Sequence, residues 1–423
     1  MKCGDFPRGH PDVLVSSQID LKQMASYSGV MKVKILPPRR LHIPVLPLRV
    51  EKKLLFGLCR KCCIEMSKNP CSCSDEDRSW IGSYHTSELK LAMEKGYVIL
   101  TAYELHNFPE DRRCVYNPET PGAGLFEGYI NIFLKMKQES SGFPQGVVTE
   151  EEKRAYVADY HANEGIALDM DRITVNPGRR FLAKLYLNSL WGFMAMKEMR
   201  TSVETHSRGD FHKFHRRISD PTLSVKRFSI LSSQTVMLEY SQNHDFVVNP
   251  SSNNLYVAVY TTALARLKLY EALDRAGANT LYCDTDSIVF SESLTRATLS
   301  TGNYLGQLTS EIDGDQAENY IRYFVSAGAK NYAYQTTSGD EVVKVKGFTL
   351  HYTNAQRVNF GTMKQLVTEQ LEDGVIETTH PHSIRRDLQT LKIYSRDEVK
   401  KYAACVSKRV FNVDEFTSKP YGF

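Results

Sequence analysis

The apolar residues of this chain change their spacing from one segment to the next, and that spacing predicts the elements. Residues 97–108, YVILTAYELHNF, alternate between apolar and polar positions as a β-strand does. Residues 33–57 alternate short apolar runs with prolines, which predicts extended segments and edge strands because proline cannot donate to a sheet ladder. A helix should begin at a cap formed by Thr86 or Ser87 and end at Gly96.

Helical periodicity dominates the middle of the chain. Residues 125–138 and 150–163 are predicted to form a helical pair. A strongly patterned helix is predicted over residues 179–196, introduced by the sequence Asn-Pro-Gly-Arg-Arg. A longer helix is predicted over residues 255–276, after a capping asparagine, and Gly277 stops it.

Strand patterns return towards the C-terminus. LYCDTDSIVF, residues 281–290, is predicted to be a strand or a hairpin. Earlier, SILSSQTVMLEY (229–240) contains short strand patterns. Residues 330–336 and 341–350 predict two more strands joined by a Ser-Gly-Asp turn. The remainder, residues 354–423, is predicted to be mainly helical and charged.

Two carboxylates, Asp284 and Asp286, lie one residue apart inside apolar sequence. In a strand both would face the same side, and like charges that close repel unless a cation or a proton intervenes. The apolar flanks predict that the acids lie at the tip of a buried hairpin, where unpaired carboxylates are costly. Few oxygen ligands suit Mg²⁺ that also binds a substrate phosphate. A turn or a solvated loop end is the alternative interpretation.

A second set of polar side chains recurs at helical spacing. Arg180, Lys184, Asn188 and Trp191 stand at i, i+4, i+8 and i+11, so they lie on one face of the predicted helix. Two cations, an amide and an aromatic ring could bind a triphosphate followed by a sugar and a base. An amphipathic helix with a solvated basic edge is the other interpretation.

Four cysteines have the spacing of zinc ligands. Cys59-x-x-Cys62 is followed by Cys71-x-Cys73, with Cys63 as a spare thiol. Four thiolates in a short segment are compatible with tetrahedral Zn²⁺ in a structural role. A set of buried or surface thiols without a metal is the alternative.

The chain has 423 residues, enough for two or three domains, and a net charge of only +4. Ten basic residues oppose three acidic ones over residues 172–217, a local excess that suits a polyanion or a solvated face. The most apolar window, 255–264, is too short to span a bilayer, so no membrane partner is expected. The start has no apolar signal segment, which favours an intracellular protein.

Three motifs together resemble those of family B DNA polymerases. YCDTDS resembles the Tyr-x-Asp-Thr-Asp-Ser signature, motif C. KLYLNSLWG resembles the fingers motif, motif B, with Trp191 where tyrosine is usual. Lys330-Asn331-Tyr332 resembles the Lys-x-Tyr element of the protein-primed branch. Segments such as LPPRRLHIPVLPLR, FGLCRKC and the terminal KPYGF resemble polymerases of Maverick/Polinton-type transposons and related viruses.

The resemblance implies roles in DNA synthesis, in which a primer 3′-hydroxyl attacks a dNTP with two Mg²⁺ ions present. Asp286 matches a metal-binding carboxylate, and Asp284 is a weaker ligand or an electrostatic support beside it. Lys184 matches the lysine that contacts the triphosphate, and Arg180 is a further phosphate contact. The implied partners are primer–template DNA, dNTPs and a terminal priming protein.

The remaining roles concern the base and the primer. Asn188 and Trp191 match residues that line the pocket for the nucleotide and the template base. Lys330 and Tyr332 match the clamp on the primer strand. Cys73 replaces a histidine that related polymerases carry in a Cys-x-x-Cys, Cys-x-His set.

The implied fold is α+β, a right-hand polymerase with an antiparallel palm sheet, helical fingers and a small thumb. The expected divisions are a palm part with a Cys-rich insertion (1–150), fingers (151–200), a palm part with motif C and the Lys-x-Tyr element (201–350), and the thumb or C-terminal region (351–423).

The first acidic motif of the family, Asp-x-x-Ser-Leu-Tyr-Pro, is not in the sequence. The chain is therefore expected to be the C-terminal portion of a polymerase, without that motif and without an exonuclease domain. We expect it to bind primer–template DNA weakly without extending it, because loss of a metal-bridging carboxylate costs on the order of 1000-fold in rate. The alternative function is a DNA-binding polymerase remnant of a mobile element that has no catalytic role.

Overall fold

The structure of the protein is a computed structural model. It describes the whole chain except residues 118, 119, 121, 123, 197–199, 247–252, 293–298, 313, 315–317, 370–372, 388, 389, 413 and 414.

The described residues form twenty strands and ten α-helices. The strands are β1 (Phe6–Pro7), β2 (Asp12–Val15), β3 (Gly29–Leu36), β4 (Leu48–Val50), β5 (Lys53–Leu55), β6 (Trp80–His85), β7 (Val98–Asn107), β8 (Arg113–Cys114), β9 (Ser202–Ser207), β10 (Leu223–Ser232), β11 (Thr235–Gln242), β12 (Thr280–Cys283), β13 (Ile288–Phe290), β14 (Ile321–Gly328), β15 (Asn331–Thr336), β16 (Glu341–Val345), β17 (Ile376–Arg386), β18 (Ile393–Tyr402), β19 (Val410–Asn412) and β20 (Thr417–Lys419). The helices are α1 (Arg60–Glu65), α2 (Asp75–Arg78), α3 (Thr86–Glu94), α4 (Glu127–Glu139), α5 (Glu150–Glu164), α6 (Pro177–Met194), α7 (Phe211–Ile218), α8 (Leu255–Ala276), α9 (Tyr352–Arg357) and α10 (Phe360–Thr368).

An antiparallel sheet with the strand order β2-β7-β3-β6 organises the first 107 residues. Met31, Val33 and Ile35 alternate along β3 and are fully buried, so one face of this strand forms the core. Strand β7 confirms the strand predicted at 97–108. The prediction of edge strands is wrong for β3, which lies inside the sheet because the prolines, from Pro37 onwards, follow the strand instead of interrupting it.

Helix α3 is confirmed with a different cap. His85 takes the N-cap position in place of Thr86 or Ser87, and its Nδ1 accepts a hydrogen bond from the backbone N–H of Ser87 at 3.2 Å. The Thr86 hydroxyl accepts from the backbone N–H of Gly29 at 3.1 Å, which joins the helix to β3. The helix ends before Gly96, whose φ of +90° favours glycine.

The four predicted long helices begin and end within two residues of their predicted bounds, as α4, α5, α6 and α8. Helix α8 packs against the first sheet, with Tyr260 and Tyr270 buried. The Nε of Arg266 on α8 donates to the nearly buried carboxylate of Glu88 on α3 at 2.7 Å. Asn254, the N-cap residue of α8, also donates its backbone N–H to the carbonyl of Met194 at the end of α6, at 3.1 Å.

The prediction that residues 354–423 are mainly helical is wrong. After the short helices α9 and α10, the segment forms two antiparallel hairpins, β17–β18 and β19–β20. Thr378 and His380 alternate as buried residues at the start of β17, but both faces of the hairpin are largely exposed further on. Charged residues on two exposed faces conceal the two-residue period of a strand, so they imitate a solvated helix.

Mixed helices and antiparallel sheets give the chain the α+β class that the sequence predicted. The division into palm, fingers and thumb stays a prediction. Among the described residues, no helix has the length and apolar character needed to cross a membrane.

Candidate functional site

The two acids of LYCDTDSIVF lie in the turn of a hairpin. Strands β12 and β13 pair with Cys283 opposite Ile288, and the backbone N–H of Asp284 donates to the carbonyl of Ser287 at 3.0 Å. The backbone N–H of Thr285 donates to Asp284 Oδ1 at 2.9 Å, which fixes that carboxylate. The hairpin prediction is confirmed, although the acids follow β12 and do not lie within a strand.

The expectation of a buried hairpin is wrong. Leu281 is 52% exposed and Asp286 is exposed, while the Asp284 side chain keeps 32% of its surface. The cause is the sheet, because β12 and β13 pair only with each other in the part of the chain that the structure describes. Neither acid therefore pays the full cost of leaving water.

The Lys-x-Tyr element lies against this hairpin. Lys330 forms an ion pair with Asp284, with Nζ and Oδ2 2.7 Å apart. Its backbone N–H donates to the Tyr282 hydroxyl at 2.9 Å, and its φ of +62° turns the chain between β14 and β15. The rings of Tyr282 and Tyr332 have their centroids 4.9 Å apart. The structure thus brings together Asp284, Lys330 and Tyr332, which are distant in sequence.

The ion pair sets the charges at the turn. Partial burial would raise the pKa of Asp284, but the hydrogen bonds from Lys330 and Thr285 outweigh it and lower that pKa below its ordinary value. The same bond to Asp284 raises the pKa of Lys330. Both side chains are therefore charged at neutral pH. Each oxygen of Asp284 already accepts a hydrogen bond from the protein.

Asp286 is the carboxylate that remains available. Within the described residues it forms no hydrogen bond or ion pair. In that same part of the chain, no third metal-ligating side chain joins Asp284 and Asp286 in a group that could hold an ion. Asp286 can supply one oxygen ligand to Mg²⁺, but Asp284 and Asp286 alone do not complete a site for two ions.

Helix α6 carries the second predicted set of side chains. Asn176 caps it by accepting from the backbone N–H of Arg179 at 3.0 Å, and Pro177 occupies its first position. The predicted face is exposed along its length, from Arg180 and Lys184 to Asn188 and Trp191.

A cleft of about 430 Å³ lies between the start of α6 and the end of α4. Arg180 and Lys184 line it, and Arg180 Nε donates to the Ser141 hydroxyl at 3.0 Å. Partial burial together with the charges of Arg180 and Lys184 lowers the pKa of Lys137 on α4. The cleft is therefore lined by two cations, with Lys137 near enough for their charges to act on it, which is a suitable environment for a phosphate chain.

Lys137 and Ser141 were not predicted from the sequence. Lys137 lies in the last turn of α4 and Ser141 follows the C-cap of that helix, and only the packing of α4 on α6 brings them to Arg180. Stacking of Phe133 on Tyr186, with centroids 4.6 Å apart, fixes that packing. A lysine in the last turn of a helix is common, so the sequence carried no signal for this contact.

The α6 residues and the acidic hairpin remain separate sites. Over the described ranges, no hydrogen bond or ion pair joins Arg180 or Lys184 to Asp284 or Asp286. A substrate that contacts both would have to bridge them.

The four predicted zinc ligands come together near the first sheet. The Sγ atoms of Cys59, Cys62, Cys71 and Cys73 all lie within 4.8 Å of one another. Cys59 and Cys62 are buried, and Cys71 and Cys73 are half-buried. Cys63 is buried beside them and is not a member of the group.

Comparisons with known proteins bear on the fold. No protein-family model matches the chain, and no curated protein matches it. A solved structure, phi29 DNA polymerase complexed with single-stranded DNA, is similar to it with a TM-score of 0.55 and 14% sequence identity. The match covers 96% of this chain and 55% of that chain, so this chain spans about half the length of that polymerase. At this identity the likeness is one of fold alone, and the fold is similar to part of that polymerase.

Proposed function

We propose that the protein takes part in template-directed DNA synthesis, as a DNA polymerase of family B from the protein-primed branch. The observation that carries the proposal is the contact of Lys330 and Tyr332 with the LYCDTDS hairpin. A segment that resembles motif C of family B and one that resembles the Lys-x-Tyr element of its protein-primed branch lie in contact, on a chain whose fold is similar to that of a DNA polymerase. A Maverick/Polinton-type or viral origin belongs to the same proposal and rests on the sequence resemblance alone.

In this proposal each site has a binding task. Arg180 and Lys184, with Lys137 beside them, bind the triphosphate of a dNTP in the cleft between α4 and α6. Asn188 and Trp191, further along the exposed face of α6, contact the sugar and the base. Divalent ions would stabilise the attacking and leaving oxygens when bound, and Asp286 is the available ligand at the hairpin.

Lys330 and Tyr332 are proposed to hold the primer strand. The Lys330 side chain is 55% exposed, so a phosphate can approach it while Asp284 fixes its direction. Tyr332 packs on Tyr282, which leaves the ring rigid beside the acidic turn. A terminal priming protein as partner remains a proposal from the resemblance.

A second function is a DNA-binding polymerase remnant without catalysis. One observation favours it: among the described residues, Asp286 is the one unpaired carboxylate at the hairpin, and no further acid completes an ion site there. Chemistry through two ions requires another carboxylate.

Primer–template binding and primer extension together test both functions. Fluorescence anisotropy should show salt-dependent binding, and Lys330→Ala should lower the slope of log affinity against log salt concentration by about 1. Lys22→Ala, an exposed lysine in another part of the fold, is the matched control and should leave the slope unchanged. Absence of DNA binding by the unmodified chain would contradict both functions.

Extension then separates the two functions. Mg²⁺-dependent primer extension that Asp286→Asn lowers on the order of 1000-fold would establish synthesis by this chain. Binding without extension would favour the DNA-binding remnant.

A further inference from the structure

The cysteine cluster has the geometry of a metal centre. Cys62 Sγ and Cys73 Sγ are 3.8 Å apart, and all four sulfur atoms lie within 4.8 Å of one another. Four thiolates at about 2.3 Å from a tetrahedral zinc ion are separated from each other by about 3.8 Å. A disulfide would need about 2.0 Å. The sulfur spacing therefore matches thiolates that share an ion.

Two parts of the fold hold the sulfur atoms in place. Cys59 precedes α1, and its Sγ accepts a hydrogen bond from the backbone N–H of Cys62 at 3.4 Å. Arg39 reaches the other pair, donating to the carbonyls of Cys71 and Cys73 at 3.3 and 3.0 Å. Backbone donors and a guanidinium group support thiolate ligands, because they offset negative charge around the ion.

We propose that Cys59, Cys62, Cys71 and Cys73 bind one zinc ion, and that this centre anchors the C-terminal tail of the chain, residues 420–423. The four cysteines lie outside helix α6 and the acidic hairpin, so this inference does not depend on the proposed function.

The tail lies directly on the first pair of ligands. The backbone N–H of Leu58 donates to the carbonyl of Tyr421 at 2.7 Å, and Tyr421 is 3% exposed. Gly422 has a φ of +83°, and a Cβ atom on it would lie 2.3 Å from the Cβ of Cys59. Only glycine permits this approach, so the tail and the Cys59 loop fit each other closely.

The segment that precedes the anchored tail connects the first sheet to the strands on either side of Lys330. Arg409, directly before β19, donates to the carbonyl of His42 at 3.1 Å, which attaches the β19–β20 hairpin to the region of the first sheet. Further back, the backbone N–H of Cys405 donates to the carbonyl of Ala327 at 2.8 Å, and Cys405 pairs with Gly328. Lys330 comes two residues after Gly328 in the sequence. The zinc centre therefore acts, through the tail, as a positioning element for the turn that presents Lys330.

Metal content tests the first half of the proposal. Protein purified without chelator, and a sample stripped and then reconstituted with zinc under reducing conditions, should each contain one zinc per chain. Cobalt added in place of zinc should give the absorption of a tetrahedral tetrathiolate site. Cys71→Ser and Cys73→Ser should lose the ion, whereas Cys63→Ala, a buried thiol beside the cluster, should retain it.

The opposite results would overturn the metal site. They are well under one zinc per chain in both wild-type preparations, no tetrathiolate spectrum with cobalt, or full zinc retention in the Cys71→Ser and Cys73→Ser variants. The cobalt spectrum of the wild type decides the question even where a variant fails to fold.

Deletion of residues 421–423 tests the second half. Zinc release to a chromogenic chelator should be at least tenfold faster than in the intact chain, and amide exchange at Leu58 should accelerate similarly. Stripping zinc from the intact chain should accelerate exchange at Cys405, whose N–H contacts Ala327. An unchanged rate of zinc release in the deletion variant would refute the anchoring of the tail. Unchanged amide exchange at Cys405 in the zinc-stripped protein would refute the positioning role.

Discussion

The cysteine cluster and the acidic hairpin are both built from short sequence motifs, and they differ in how complete they are. All four sulfur atoms of the cluster come from residues 59–73, and two of their side chains are buried. The hairpin supplies two exposed or half-buried carboxylates, and one is held by Lys330 from another part of the chain. The cluster is a closed set of ligands, whereas the hairpin is open.

The difference follows from what each ion requires. A structural zinc site uses four protein ligands and excludes water, so a single loop can supply it and bury it. Mg²⁺ in nucleotide chemistry keeps waters and substrate oxygens among its ligands, so its carboxylates must remain accessible. Burial in the first region should therefore support stability, and exposure in the second should support binding. Four predictions test this contrast.

Replacing a buried cysteine should have the largest effect on folding. Cys62→Ser removes a thiolate from the proposed zinc centre, so the free energy of unfolding should fall by about 4 kcal/mol or more. Urea denaturation followed by the fluorescence of Trp80, which is buried in the same core, measures the loss. The experiment uses a Trp191→Phe background because Trp191 is the other tryptophan and is exposed. A loss under about 1 kcal/mol would contradict a structural ion.

Acid should lower the stability of the first sheet through His85, the last residue of β6. Burial, followed by the charges of Lys90 and Arg266, lowers the pKa of His85 from 6.5 to about 4. Above pH 6.5 the imidazole is neutral in both states and has no effect on stability. Between pH 6.5 and about 4 only the unfolded state takes the proton, so stability falls by about 1.4 kcal/mol per pH unit, roughly 3 kcal/mol in all.

Denaturation curves at pH 7.5 and pH 4.5 measure this loss. His85→Asn is the control, because asparagine also caps helices and does not titrate. It should remove most of the pH dependence attributed to His85. An identical acid loss in the variant would assign the effect to other groups.

Removing the cation of the hairpin should change a pKa more than it changes stability. The pKa of Asp284 is lowered, so its ion pair is fully present above the ordinary pKa of 3.8 and is lost as the pH falls through the lower folded value. Lys330→Met should raise that pKa, measurable by carboxyl NMR, and should cost less than about 1 kcal/mol because the pair is partly exposed. A larger loss of stability would mean that the hairpin is a structural element like the cysteine core.

Asp286→Asn should have the smallest effect on folding. The side chain is exposed and unpaired in the described part of the structure, so the free energy of unfolding should change by no more than about 0.5 kcal/mol. Thermal denaturation of this variant beside Cys62→Ser compares the two regions directly. A clear destabilisation by Asp286→Asn would show that the carboxylate has a partner in solution.

The sequence was most informative where local rules act alone. Helices α4, α5, α6 and α8 have regular apolar spacing and clear ends, so their bounds were predictable. The cysteine spacing was sufficient to predict a four-sulfur group. The β17–β18 hairpin was missed because polar residues occupy both of its faces and no period remains to be seen.

Contacts between distant segments were beyond the sequence pattern. Lys330 and Asp284 were identified from two separate motifs that resemble those of polymerases. The ion pair between them is seen only in the folded structure. The exposure of the hairpin was also unpredictable, because apolar flanks indicate burial whether or not a neighbouring strand is present to cover them. The contact of Tyr421 with Leu58 joins segments that are far apart in the sequence and has no local signal at all.

That pairing of distant segments imposes an order on biosynthesis. Arg409 and His42, which form one of its hydrogen bonds, are 367 residues apart in the chain. At about 5–20 residues per second, a ribosome needs roughly 20–70 s to make the intervening segment. For that time the nascent cysteine region has emerged without residues 420–423, which pack against it, and its final packing must wait until those residues have been made.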